Sequence, residues 1–144
     1  MDTAYKTTLE LDKVLNRAVQ LCACQETKEM MQALEPAPTI EDERYDLTQT
    51  NAINALLIKN GSPRFGSVRE VRRIVAHARK GGILSMGELL EIAATLRNFA
   101  GLSQWYGLSE HDMMPTDDLF YSLAPQPVLE RQISDSIISP EEMA

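Results

Sequence analysis

The side chains that could do catalytic chemistry in this chain are few, and their spacing does not bring them together. The two histidines, His77 and His111, have no cysteine or second histidine at the spacing that a metal site requires. Asp117 and Asp118 are adjacent, which is typical of negative charge at a helix start and not of a general acid/base pair. The patterns GxxxxGKS/T, GxGxxG, HExxH and paired CxxC do not occur. We therefore expect no catalytic, cofactor-binding or metal-binding residue in these 144 residues.

The two cysteines, Cys22 and Cys24, are separated by one residue at the end of the first predicted helix. Side chains two positions apart on a helix point about 200° away from each other, so neither a disulfide nor a shared metal is favoured. We interpret both as small helix-packing residues, which fits a reducing compartment.

Basic residues are concentrated in one stretch of an acidic chain. Seven of the fourteen lie between Lys59 and Gly82 with Glu70 as the single acidic residue, a net charge of +6. The other residues include seven basic and twenty acidic side chains, a net charge of −13, and the whole chain has −7. At about 100° per residue, five of the cations cover an arc of about 120° on a predicted helix, away from its apolar face. These candidate site residues are Arg69, Arg72, Arg73, Arg79 and Lys80.

Three interpretations of this basic arc remain open. It could be a solvated helix face, an interface that docks on acidic protein surface in the same polypeptide or a partner, or a patch that contacts the phosphates of DNA or RNA. Phosphate contact would give salt-dependent affinity without sequence choice. No aromatic residues interleave with the cations, so stacking on bases is not indicated. The net charge of −7 opposes nucleic-acid binding by the chain as a whole.

Apolar residues recur at helical spacing along most of the chain, and no alternating stretch exceeds Ile137-Ile138. The predicted class is therefore all-α, an irregular array of six to seven helices in a single domain over residues 1–144. Residues 103–116 are predicted to form an internal loop or linker, anchored by Trp105 and Tyr106, and no closing element is evident at the end of the sequence. The predicted helices include residues 11–23, 26–34, 40–59 with Thr39 as N-cap, 86–101 and 127–136, and another starting near 115–118.

A helical hairpin is predicted to position the basic residues. Ser67 and Glu70 have the spacing of a capping box that starts its first helix, and Ser85 and Glu88 repeat this spacing at the start of the second. The first helix is predicted to end at Lys80-Gly81-Gly82, because basic residues followed by glycine are a common helix stop. Its predicted buried face consists of Val71, Ile74, Val75 and Ala78.

The sequence indicates a cytoplasmic protein. No run of about 18 apolar residues occurs, so no membrane span is predicted. The first residues, MDTAYKTTLELDK, lack the apolar core of a signal peptide.

Several short motifs, in a fixed order between about residues 8 and 100, resemble the N-terminal region of the type-two MutS family, the bacterial MutS paralogues outside ordinary mismatch repair. The segments that match best are 61–63, 68–74, 81–85 and 88–90. Weaker similarity is found at 8–15, 26–29, 34–36 and 48–52.

The resemblance implies an all-helical core or lever segment of a larger protein. Members of the family are homodimeric ATPases that use ATP and Mg²⁺, with a clamp, a P-loop ATPase domain and usually a nuclease-like module downstream. Their roles are suppression of homologous recombination through branched DNA and rescue of stalled ribosomes. The resemblance assigns no catalytic or ATP-binding residue to this chain. The partner that it implies for this segment is the remainder of the same polypeptide. An alternative is a stand-alone helical adaptor that binds an acidic protein through the basic helix.

Overall fold

The computed structural model describes residues 10–64, 66, 69–108, 113–140 and 142–143, and of Met143 only the backbone. The described residues form seven helices and two very short strands, so the all-α prediction is confirmed. The helices are α1 (Leu11–Leu21), α2 (Gln25–Gln32), α3 (Ile40–Asn60), α4 (Arg72–Arg79), α5 (Met86–Tyr106), α6 (Asp117–Tyr121) and α7 (Pro127–Ser136). The strands are β1 (Ile137–Ser139) and β2 (Glu142–Met143).

The chain divides into two compact units, Met1–Thr48 and Gln49–Ala144. The boundary falls within α3, so the first half of this helix belongs to the first unit and the second half to the other. The assignment of residues 1–144 to a single domain stays a prediction.

In the first unit, α1 and α2 pack against each other, yet no residue of either helix is buried. Cys22 and Cys24 are free thiols, and the Cys22 Sγ donates to the Ala18 carbonyl at 3.4 Å. Thr39 caps α3 as predicted, because its Oγ1 accepts from the Asp42 amide at 3.1 Å and donates to the Asp42 Oδ2 at 2.8 Å.

One core cluster of the second unit forms around the end of α5. It consists of the buried residues Leu56, Trp105 and Tyr106, and Phe120 packs against them. The rings of Tyr106 and Phe120 stack with their centroids 3.9 Å apart. The prediction that Trp105 and Tyr106 lie in a loop was wrong, since α5 continues to Tyr106. Gly101 within α5 costs about 1 kcal/mol relative to alanine, which the burial of two aromatic side chains outweighs.

A second core cluster joins α5 to the end of the chain. Ala93 of α5, Ile133 of α7 and Ile137 of β1 are its buried residues. The predicted helix 127–136 is confirmed by α7. The expectation of no closing element was wrong, because β1 pairs antiparallel with β2.

The helix that carries the basic residues starts later than the sequence predicts. α4 begins at Arg72, and its N-cap residue Val71 makes no side-chain capping hydrogen bond. Ser67, the first member of the predicted capping box, lies outside the described residues. The Gly66 amide, just before it, donates to the Asn98 Oδ1 of α5 at 3.0 Å, and this bond ties the segment to α5 instead of to a helical turn.

Candidate interaction surface

Four of the five predicted site residues lie together on α4 and its C-cap. At about 100° per residue, they cover the helix face opposite Ile74, the buried residue of α4. All four are exposed, and we call them the cationic ridge: Arg72, Arg73, Arg79 and Lys80.

Arg69, the fifth predicted site residue, is not on the helix. It precedes α4, and its guanidinium lies 3.7 Å from the Glu91 carboxylate of α5. The prediction that all five cations lie on one helix was therefore wrong for Arg69, because the helix begins after this residue. The assignment of these cations as a phosphate or partner contact stays a prediction.

The ridge cations have no ion-pair partner within the described part of the chain. Some cations elsewhere in the described chain do form ion pairs: Lys13 pairs with Glu10, and Arg97 pairs with Glu130. The ridge is therefore a local concentration of positive charge without a direct ion pair among the described residues.

A groove of about 710 Å³ runs beside the ridge and carries both signs of charge. Arg73, His77 and Lys80 supply positive or protonatable groups to its lining. Glu70, Glu88 and Glu91 supply carboxylates, so groups of opposite charge line the same groove.

The end of α4 is fixed by a Schellman motif. The Gly82 amide donates to the His77 carbonyl at 3.1 Å, and the Gly81 amide donates to the Ala78 carbonyl at 2.9 Å. Gly81 has a φ of 82°, a left-handed conformation that glycine adopts without strain. The predicted end of the helix at Lys80-Gly81-Gly82 is therefore confirmed.

The start of α5 is fixed by the predicted capping box. The Glu88 amide donates to the Ser85 Oγ at 3.3 Å, and the Ser85 amide donates to the Glu88 Oε2 at 2.8 Å. The bonds from the Ser85 amide and hydroxyl, with the nearby charge of His77, hold the pKa of the Glu88 carboxyl below its usual value.

Aliphatic side chains flank the cations. Val75 was predicted to be buried but is 42% exposed, and Ala78 is also exposed. Ile83, which follows the Schellman motif directly, is 93% exposed. Only Ile74 of the predicted buried face is fully buried, so α4 contributes little to the core.

His77 and Asp117, two further groups considered in the sequence, make contacts at helix ends. An ideal Cβ placed on Gly82 would lie 2.2 Å from the His77 Nε2, so the imidazole covers this glycine. The Asp117 carboxylate accepts hydrogen bonds from the Met114 amide at 3.0 Å and from the Tyr106 hydroxyl at 2.7 Å. These bonds hold the first residue of α6 in place. His111 lies outside the described residues. Within those ranges, no three His, Cys, Asp or Glu side chains are placed to hold a metal.

Sequence reasoning missed the residues that hold this surface in place. Asn98 and Glu91 both lie on α5 and reach back to Gly66 and Arg69 across more than twenty positions of sequence. Neither residue belongs to a recognisable motif, so only the three-dimensional structure identifies these contacts.

In the part of the chain that the structure covers, no helix is long and apolar enough to cross a membrane.

Proteins called endonuclease MutS2 are similar to this chain. The one from Ruminiclostridium cellulolyticum is 29% identical over 146 residues, and the one from Lachnospira eligens is 28% identical over 144; each alignment covers 100% of this chain. The one from Clostridium beijerinckii is 27% identical over 138 residues, or 94% of this chain. The chain spans 18% of the length of each of these relatives.

No protein-family model and no solved structure matches the chain. The similarity is nevertheless consistent in name and covers all or nearly all of the residues. The resemblance to the type-two MutS family is therefore confirmed: this chain is similar, over all or nearly all of its residues, to one region of proteins called endonuclease MutS2.

Proposed function

We propose that this chain is a helical scaffold segment of a larger MutS2-related protein. The observation that carries the proposal is the coverage: relatives align with all of this chain, but this chain corresponds to only 18% of each of them. In this role, packed helices would transmit motion between the other parts of the protein as rigid elements. The assignment rests on analogy with the family rather than on a catalytic site.

The larger protein would supply the chemistry. We propose that it is a homodimeric cytoplasmic ATPase that binds DNA or ribosomes, suppresses homologous recombination or rescues stalled ribosomes, and could carry an endonuclease module. The sequence lacks GxxxxGKS/T, the pattern that surrounds nucleotide phosphates. We therefore assign nucleotide binding to other regions of that protein.

The gene tests the first half of the proposal. Reading the coding sequence past the codon for Ala144 should reveal several hundred further codons that encode GxxxxGKS/T. A stop codon directly after Ala144 would refute the scaffold role and favour a stand-alone adaptor.

A packing variant in the longer protein tests the mechanical role. Ile133 of α7 is 8% exposed and belongs to the core cluster that contains Ala93 of α5. Ile133→Val should loosen the packing of α7 on α5 at a cost of about 1 kcal/mol. We expect basal ATP hydrolysis to stay near the parent value and its stimulation by branched DNA or ribosomes to fall. Val128→Ala, at a side chain that is 70% exposed on α7, is the matched control. Unchanged stimulation in Ile133→Val would contradict the scaffold role.

A further inference from the structure

We propose that the cationic ridge is a docking surface for a protein segment that presents carboxylates beside aliphatic side chains. This inference concerns the surface itself and holds whether or not an ATPase domain follows in the gene. Three features of the second unit carry it: the unpaired cations, the mixed charge of the adjoining groove and the exposed aliphatic residues.

The clustered, unpaired cations are complementary to a partner of negative charge. No carboxylate of the described residues lies within ion-pair distance of the ridge. Three of its four members are arginines, whose planar guanidinium groups hydrogen-bond carboxylates or phosphates through two N–H groups at once. Charge complementarity alone therefore leaves two classes of occupant, an acidic protein segment and a nucleic-acid backbone.

The groove favours the protein segment. Glu70, Glu88 and Glu91 lie in the same groove as Arg73 and Lys80. A nucleic-acid backbone has a negative charge on every nucleotide and would be repelled by these carboxylates. A protein segment can place its own carboxylates at the cations and leave neutral or basic groups opposite the glutamates.

The aliphatic residues favour the same choice. Val75 is 42% exposed and Ile83 is 93% exposed, each within four positions of a ridge cation. Protein interfaces are enriched in arginine and bury apolar side chains in their centre, whereas phosphates offer no apolar surface to cover.

The geometry of α4 defines the spacing of the partner. Arg72 and Arg79 are separated by two helical turns, or about 10 Å along the helix axis. Two carboxylates seven positions apart on a partner helix have the same separation, and an aliphatic side chain between them would face Val75. The partner is therefore best matched by an amphipathic helix with glutamates at positions i and i+7 and leucines between them.

A designed peptide and two nucleic acids test the inference. The peptide is a labelled helix of about 20 residues with glutamates at i and i+7 and leucines at i+3 and i+4, compared with a version that has glutamine for glutamate. The nucleic acids are a DNA duplex of about 20 base pairs and an RNA hairpin. Fluorescence anisotropy with the full 144-residue chain at about 50 mM and about 200 mM salt measures each affinity.

Charge-reversal variants assign the binding to the ridge. We expect R72E/R79E to weaken peptide binding about tenfold or more, because arginines at interface centres dominate binding energy. R17E/R44E is the matched control: both arginines are exposed and unpaired among the described residues, and the change in net charge is the same. We expect this control to change the affinity less than about twofold. Circular dichroism checks that both variants remain helical.

Each outcome decides the proposal. Binding of the glutamate peptide, weakened by glutamine replacement and by R72E/R79E, would support it. Failure of the peptide to bind, an equal loss in R17E/R44E, or tighter ridge-dependent binding of the DNA or RNA would overturn it. A stop codon after Ala144 would end the scaffold proposal without affecting peptide binding, so the two ideas can fail separately.

Discussion

At the scale of single residues, Tyr106 joins the end of α5 to the start of α6 through its hydroxyl group. Its hydroxyl lies 2.8 Å from the Thr116 Oγ1 and donates to the Asp117 Oδ1 at 2.7 Å. Thr116 is fully buried and Tyr106 is 2% exposed, so these hydrogen bonds replace water that cannot reach them. Burial raises the pKa of Tyr106 to about 12, and the negative charge of Asp117 contributes to this rise.

Removing the Tyr106 hydroxyl should destabilise the second unit. Tyr106→Phe leaves the Thr116 hydroxyl buried without its partner, and we expect the free energy of unfolding to fall by about 1–3 kcal/mol. Urea unfolding followed by Trp105 fluorescence measures the change. Tyr121→Phe, at a ring that is 73% exposed, is the control and should change stability by less than about 0.5 kcal/mol. Equal effects of the two variants would contradict this role.

The raised pKa of Tyr106 should make stability depend on alkaline pH. Because the folded-state pKa is about 12 and the ordinary value is 10.0, the unfolded state loses this proton first. The free energy of unfolding should therefore be unaffected by this group below pH 10 and should fall as the pH rises from about 10 to about 12. Urea midpoints across this range test the slope. Tyr106→Phe should lack this component, and an unchanged slope in the variant would contradict the assignment.

At the scale of elements, the hairpin of α4 and α5 is defined by short-range hydrogen bonds at the turn. The Schellman motif ends α4 and the Ser85 capping box starts α5. Both depend on residues within five positions of each other, so the sequence alone specifies them. The position of the hairpin's entry segment instead depends on Asn98 and Glu91, which are remote in sequence.

Glycine substitutions in two helical contexts should have opposite effects. Gly81→Ala forces a side chain into a φ of 82°, and we expect a loss of about 1 kcal/mol. Gly101→Ala lies inside α5, where an ideal Cβ meets no atom within 4 Å, and we expect a gain of about 0.5–1 kcal/mol. Urea unfolding of both variants measures the difference. A stabilising Gly81→Ala would contradict the Schellman assignment.

Removing the cap of α5 should cost stability at neutral pH. Ser85→Ala removes the acceptor for the Glu88 amide, and loss of such a cap typically costs about 1 kcal/mol. Thermal unfolding followed by circular dichroism measures the loss. Ser103→Ala, which also lies on α5 but has a hydroxyl without a hydrogen-bond partner in the described structure, is the comparison.

The same cap should respond to acid. The pKa of Glu88 is lowered in the folded state, so its contribution to stability is present above the ordinary value of 4.5 and is lost as the pH falls through the lowered folded value. Ser85→Ala should reduce this loss, because the hydrogen bonds from Ser85 are the main cause of the lowered pKa. An identical acid dependence in the variant would argue against the cap.

At the scale of the whole molecule, the two units differ in the burial of their helices. No residue of α1 or α2 is buried, whereas the second unit contains two core clusters. Trp105, the only tryptophan, is 7% exposed in one of these clusters, and its Nε1 donates to the Gly61 carbonyl at 2.8 Å. Its fluorescence therefore reports on the second unit alone.

Unfolding should occur in more than one step. We expect helical circular dichroism to begin to decrease at lower urea concentrations than Trp105 fluorescence, because α1 and α2 lack a buried core. Leu56→Ala, in the core beside Trp105, should shift the fluorescence transition by about 2–5 kcal/mol and leave the earlier helix loss in place. Superimposable transitions for both signals would indicate a single cooperative unit instead.

The sequence by itself determined the helices, most of their ends and the family resemblance. Apolar periodicity, the Ser85 capping box and the glycines after Lys80 act over a few residues, and the structure confirms the helix class and these ends. The relation to MutS2 proteins was also visible in short motifs, and it is confirmed over nearly the full chain.

Tertiary structure decided the features that depend on distant residues. It extended α5 to Tyr106, because burial of Trp105 and Tyr106 outweighs the cost of Gly101. It also placed Arg69 before the start of α4, 3.7 Å from the Glu91 carboxylate, which left a ridge of four cations. Local patterns cannot encode these outcomes, since each is a competition between a local preference and contacts formed by residues far apart in the sequence.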